Sequence, residues 1–200
     1  DWAGALDTAA SAKRHGHIDK KVADRRRAVL LTAQAQAMED SHADKAAELA
    51  TEAHNLAPDL VPAAAIAGRV LASRGQTPKA AKVLLRTWKS VQHPELAAIY
   101  AHARPGDSVS DRLERVRQLA KSTPHSNEGP IALATAAAEA RDWELARKSL
   151  EPMLADEPSH RVCTLMARIE GEGFNDTGKV REWLARAVHA PRDPAWTADG

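Results

Sequence analysis

Nine histidines are the side chains best suited to chemistry in this 200-residue chain: His15, His17, His42, His54, His93, His102, His125, His160 and His189. Imidazole ligates metals and haem and moves protons near neutral pH. Their spacing, however, is unhelpful to either chemistry. No His-x-x-x-His pair would share a helix face, and no His-Glu-x-x-His occurs. His15 and His17 are close, but they fall in a predicted turn. Most of the others also fall in predicted turns or near helix ends, where a solvated role is expected. Cys163 is the only cysteine, so an internal disulfide is excluded. Its neighbours Val162, Leu165 and Met166 predict a buried structural thiol. His160 stands one helical turn before it, but nucleophilic catalysis also needs an oriented base and an oxyanion site. No third group and no glycine-built elbow accompany the pair. Glu48 and Glu52 are spaced i, i+4, yet a paired-carboxylate site needs burial, and the alanine-rich helix around them predicts solvated charges. The glycine-rich stretch 171–178 carries neither Gly-x-Gly-x-x-Gly after a strand nor Gly-Lys-Ser/Thr, so it is not a phosphate loop. The expectation is a protein that is not an enzyme, with no metal site and no resident cofactor.

The elements that must position these residues are helices. Apolar residues make up 44% of the chain and aromatics only 4%, and alanine dominates the apolar set. No stretch alternates apolar with polar as a half-buried strand would. Alanine is the best helix former, and its small side chain lets helices approach closely. The net charge is +1, from 28 basic and 27 acidic residues, a balance that predicts no nucleic-acid partner. The basic run Lys20-Lys21 through Arg25-Arg26-Arg27 reads as a solvated helix face, with a phosphate or anionic-lipid contact as the minority reading.

A short pattern recurs. Asp1-Trp2-x-x-Ala5 returns as Asp142-Trp143-x-x-Ala146. From Ala146, small or apolar residues follow at +4 (Leu150), +7 (Met153) and +12 (Pro158). From Ala46 the same steps land on Ala50, Ala53 and Pro58, and from Ala5 on Ala9, Ala12 and His17. Ala46 and Ala80 stand 34 residues apart, the period of a tetratricopeptide repeat, a helix-turn-helix unit. One such hairpin cannot bury its apolar face alone, and adjacent hairpins bury it for each other. The predicted fold is all-α: a right-handed superhelix (solenoid) of about five and a half tetratricopeptide-like hairpins.

The repeats are predicted at 1–17 (a half repeat), 20–59, 61–92, 93–126, 127–160 and 161–189, with an extended tail over 190–200. In the first full repeat, Val22, Val29, Leu30, Ala33 and Ala37 are expected to form the buried face of the first helix. In the next, Gly68 lets the two helices touch, Gly75 caps the first helix, and Thr77 is the N-cap of the second with Pro78 in its first turn. The fourth repeat is the least regular, and the fifth matches best, with Trp143 expected to pack on the following unit. The concave face of such an array is lined by first helices. Its candidate partner-binding residues are Thr32, Met38, Arg69, Arg104, Thr135 and Glu139.

No apolar run approaches the ~18 residues of a membrane span, and no signal peptide is visible. Because Asp1-Trp2 matches the start of a second repeat helix, the sequence is expected to be a piece of a longer array, with any upstream anchor outside it.

The last segment is more distinctive. Trp183-Leu-Ala-Arg-Ala and Ala190-Pro-Arg-Asp-Pro-Ala-Trp196 resemble the C-terminal region of HemY-type proteins of alphaproteobacteria, over about the last eighth of the chain. The preceding helices resemble the repeat region of that family more loosely. The resemblance implies the repeat domain of a bacterial inner-membrane protein, tethered by N-terminal helices that precede this sequence and associated with haem biosynthesis. It carries over no catalytic motif. The implied function is a protein–protein interaction scaffold, whose partner is a haem-biosynthesis enzyme or another protein. The alternative is a protein that binds haem or a porphyrin directly, motivated by the histidines with Met38 or Met166.

Overall fold

A computed structural model of the protein describes residues 4–8, 11, 18–155 and 157–193. All regular elements among them are helical. The first copy of the Asp-Trp pattern and the turn His15-Gly16-His17 lie outside the described residues, as does the end of the tail, residues 194–200.

The chain divides into two compact units, Asp1–Asp107 and Ser108–Gly200. In the first, residues 4–8 are helical and are followed by α1 (Lys20–Met38), α2 (Ala43–Leu56), α3 (Val61–Ser73), α4 (Thr77–Trp88) and α5 (Pro94–Ala101). Each of α1 to α4 packs on the next, and α3 also touches both α1 and α5. The second unit holds α6 (Val109–Lys121), α7 (Glu128–Glu139), α8 (Trp143–Leu150), α9 (His160–Arg168) and α10 (Thr177–His189). A 3₁₀ turn, Glu151–Met153, extends α8, and a π-helical turn, Ile169–Gly173, extends α9. Here α7 packs on both α6 and α8, and α9 packs on α10. The boundary between the units falls inside the stretch 93–126 read as the fourth repeat, leaving α5 in one unit and α6 in the other.

Three hairpins share one register. Four residues before the key alanine sits the N-cap of the second helix: His42 before Ala46, Gln76 before Ala80, and Asp142 before Ala146. The alanine N–H closes the first turn onto the carbonyl of that cap at 2.9–3.1 Å in all three cases. All three alanines are fully buried, as are Ala50, Leu84 and Leu150 four residues on. The first helix of two hairpins ends in the same way. Gly75 takes φ +70°, with its N–H on the Ala72 carbonyl and that of Gln76 on the Leu71 carbonyl. Arg141 takes φ +57°, with its N–H on Ala138 and that of Asp142 on Ala137. Both are left-handed Schellman caps, one built with glycine and one with a residue that pays for its Cβ.

Close approach is set by small residues. A Cβ on Gly68 would lie 2.7 Å from Leu84 Cδ2, so α3 and α4 meet as the sequence predicts. Trp143 packs against the glycine-rich turn of the following hairpin, where a Cβ on Gly173 would come within 2.6 Å of the indole Cγ.

Three local expectations are corrected. The buried seam of α1 is Ala23, Ala28, Leu31, Thr32 and Ala35, whereas Val22 and Val29 are exposed and Ala37 lies outside the seam. Apolar residues stand on both sides of this helix, and the alanine side permits the closer contact with α2. Thr77 is the first helical residue, not the cap, and its hydroxyl donates to the Ala103 carbonyl at 3.2 Å. The beginning of the tail, although extended at Ala190, folds back on α9: His160 N–H donates to the Pro191 carbonyl at 2.9 Å, and the Asp193 carboxylate accepts from the Ser159 hydroxyl at 3.1 Å.

Candidate functional site

A cleft of about 710 Å³ lies in the first unit between α2, the end of α3, and α4. Its floor is apolar, with Ala47, Leu71 and Val83, and its two walls differ in charge. The α2 wall presents Asp44, Glu48 and Glu52, four residues apart and therefore on one helix face. The opposite wall presents Arg74, Lys79, Lys82 and Arg86. Each carboxylate is already engaged. Asp44 pairs with Arg74, whose guanidinium holds that carboxyl below the usual range. Glu48 pairs with Lys45 at 3.0 Å and Glu52 with Arg27 at 2.7 Å. The α4 cations are different. Lys79 reaches only the Gln76 side-chain oxygen, at 3.0 Å, and Lys82 and Arg86 have no hydrogen-bond or ion-pair partner among the described residues. The helix Thr77–Trp88 contains no acidic residue to neutralise them.

His54 also lines this cleft, yet it is only 2% exposed. Its Nε2 stands 3.1 Å from the Thr87 hydroxyl, which spends its single proton on the Pro58 carbonyl at 2.7 Å. The imidazole must therefore donate from Nε2, which assigns the neutral tautomer. Burial, with Arg86 nearby, lowers its pKa to about 4. Sequence reading placed this histidine among the solvated ones; it is instead part of the packing between the second helices of two hairpins.

The other described histidines serve helix ends and turns. His42 lies 3.0 Å from the Ser41 hydroxyl, His93 caps α5 by accepting from Glu95 N–H at 3.2 Å, and His102 stays on its own helix end. His160 Nδ1 donates to the Ala187 carbonyl at 3.0 Å, so it is not directed at Cys163. That thiol is buried, its pKa is raised by desolvation, and its nearest polar partner is the Pro158 carbonyl at 3.6 Å. Among the described residues no group of three or more His, Cys, Asp or Glu is placed to hold a metal ion, and no helix is long and apolar enough to cross a membrane.

The six residues expected to line a partner groove fall into different settings. Thr32 is buried, and its hydroxyl donates to the Ala28 carbonyl in its own helix. Thr135, half-buried, does the same with Ile131. Met38 is half-buried against the alanine cluster of α2 and α3. Arg69 is the hub of an ion triad: it is bidentate to Glu39 at 2.8 and 2.9 Å and reaches Glu95 at 2.6 Å, so it clamps the end of α1 and the start of α5 onto α3. Arg104 and Glu139 are exposed, and Arg104 lies 3.6 Å from Asp107. The second unit contains a matching triad, in which Arg161 is bidentate to Glu128 at 2.9 and 2.5 Å and bonds Asp193 at 3.3 Å.

A buried carboxylate completes the charged inventory. Glu170, in the π-helical turn, accepts from Arg147 at 2.5 Å, and the same guanidinium stacks 3.6 Å above the Phe174 ring. With Trp143 on Gly173, this pair holds the glycine-rich turn against α8. These contacts give the turn a packing role.

Sequence reading missed the row Lys79, Lys82 and Arg86. The available signal was a helix with basic residues at i, i+3 and i+7 and no acid to balance them. Neither known protein-family models nor curated proteins match this chain.

Proposed function

We propose that the chain is a tetratricopeptide-like right-handed superhelix serving as a non-catalytic scaffold that binds a protein partner. The observation that carries this reading is the shared register of three hairpins, with N-cap, buried alanine and buried +4 residue repeating at the same steps. Repeated hairpins of this kind offer extended surfaces and open clefts, and the α2–α4 cleft is one such feature. The resemblance of the Trp183 and Asp193 segments supports a setting at a bacterial inner membrane, tethered from outside this sequence, with a haem-biosynthesis enzyme as the partner.

The test is a photo-crosslinking experiment on membranes from the source organism. Crosslinkers at exposed Asn55, Arg104 and Glu139 are expected to capture the same defined protein from at least one position, and mass spectrometry identifies it. Capture at no position, under conditions where the protein is folded by circular dichroism, overturns the scaffold reading. A defined partner unrelated to haem synthesis overturns only the setting.

A further inference from the structure

We propose that the α2–α4 cleft recognises an extended acidic peptide segment, with carboxylates at alternate positions held by Lys82 and Arg86 and a further one by Lys79. The proposal rests on the scaffold reading and adds to it the chemistry of the partner.

The reasoning begins with what each wall has left to offer. The three carboxylates of the α2 wall are paired with Arg74, Lys45 and Arg27, respectively. Those exposed pairs offset part of the acidic wall's charge, so a basic ligand gains less there than at an uncompensated wall. The α4 cations are not offset in this way: among the described residues Lys82 and Arg86 have no hydrogen-bond or ion-pair partner, and Lys79 has only a neutral amide oxygen. The cleft therefore presents an unspent positive edge over an apolar floor.

Spacing narrows the ligand further. Lys82 and Arg86 are four residues apart on one helix, a rise of about 6 Å. Successive same-face side chains of an extended segment are about 6.8 Å apart, so carboxylates at alternate positions match these two cations. The intervening side chains would face Ala47, Leu71 and Val83, which favours small residues there. The volume, about 710 Å³, lies within the ~300–1,000 Å³ range of ligand-sized sites, enough for a short segment and not for a folded domain. His54 at the edge of the floor is buried and neutral, so it adds no competing charge at pH 7.

Fluorescence polarisation with three labelled octapeptides, (Glu-Ala)₄, (Gln-Ala)₄ and (Lys-Ala)₄, tests this on the full chain. The (Glu-Ala)₄ peptide is expected to bind, with affinity falling as salt rises from 50 to 300 mM, and to bind K82E/R86E at least ~10-fold more weakly. Both positions are exposed, so the double variant is expected to keep the wild-type helical signal. The variant K148E, a charge reversal at an exposed position of the second unit, is expected to bind as wild type does. Equal binding of (Gln-Ala)₄ and (Glu-Ala)₄ overturns the acidic-peptide proposal and leaves the scaffold reading standing. Binding of (Glu-Ala)₄ that is indifferent to K82E/R86E overturns the placement in this cleft. Tighter, variant-sensitive binding of a 20-nucleotide single-stranded DNA overturns the choice of a peptide. If no peptide binds, the proposal fails, and the crosslinking result decides separately whether the scaffold reading fails with it.

Discussion

His54 couples the packing of the first unit to pH. Its folded-state pKa is lowered from 6.5 to about 4 because a charged imidazole would be buried beside Arg86. The unfolded chain therefore binds the extra proton first. This contribution is fully present above pH 6.5 and is lost as pH falls through the window from 6.5 to 4, by about 1–3 kcal/mol in all. Urea denaturation at pH 7, 5.5 and 4.5 is expected to show this decline, and H54L to flatten that part of it. A wild-type profile unchanged by H54L would remove His54 as the cause. Two backbone positions make opposite predictions. Arg141 holds a left-handed cap, and its side chain forms no hydrogen bond or ion pair among the described residues, whereas Gly75 fills the same position with glycine. R141G is expected to stabilise the protein by about 0.5–1 kcal/mol, read as a higher Tm. Gly173 needs its missing Cβ for a different reason, since the Trp143 ring occupies that space. G173A is expected to cost about 1–3 kcal/mol, with a change in tryptophan fluorescence as the ring shifts.

At the level of elements, two ion triads hold helices together. Each centres on an arginine in a first helix of a hairpin: Arg69 joins α1, α3 and α5, and Arg161 joins α7, α9 and the tail. Glu128 is largely buried, with a 10% exposed side chain. Removing Arg161 would leave that carboxylate without its cation. R161A is expected to cost about 1–3 kcal/mol, less than a fully buried pair because the guanidinium is partly solvated. D193A is expected to cost less, about 1 kcal/mol, since it removes a partly exposed cation contact and two bonds at the start of α9, from the Ser159 hydroxyl and the Arg161 N–H, and leaves no buried charge unpaired. Thermal melts of the two variants give the order, and D193A at or above the cost of R161A would contradict it. Elements were the most legible level in the sequence. The bounds of α1 and α2 follow closely from the pattern of alanines, turns and proline, and Gly68, Gly75 and Trp143 perform the packing and capping read from their positions. The seam of α1 was not legible, because valines and alanines mark two different faces. Choosing between them requires knowing what packs there.

Over the whole molecule, the two compact units are each expected to fold alone. Residues 1–107 and 108–200, produced separately, are expected to show helical circular dichroism and cooperative melting. A piece lacking a cooperative transition would show that its compactness depends on the rest of the chain. The helical class and the hairpin register were determined by the sequence itself. Both arise from local preferences and from small residues repeated at fixed steps, which the hairpins around Ala46, Ala80 and Ala146 display. The charged groups were decided by the tertiary structure. Arg69 reads as a free groove residue until Glu39 and Glu95, 30 and 26 residues away, are brought to it. Asp193 reads as part of a loose tail until it meets Ser159, 34 residues earlier. His54 reads as one more polar histidine near a helix end until Thr87 closes over it. Long flexible side chains find partners through space, and their pairing carries no period along the chain. The cations of α4 stand out in the same way, since only the folded chain shows that Lys82 and Arg86 meet no carboxylate among the described residues.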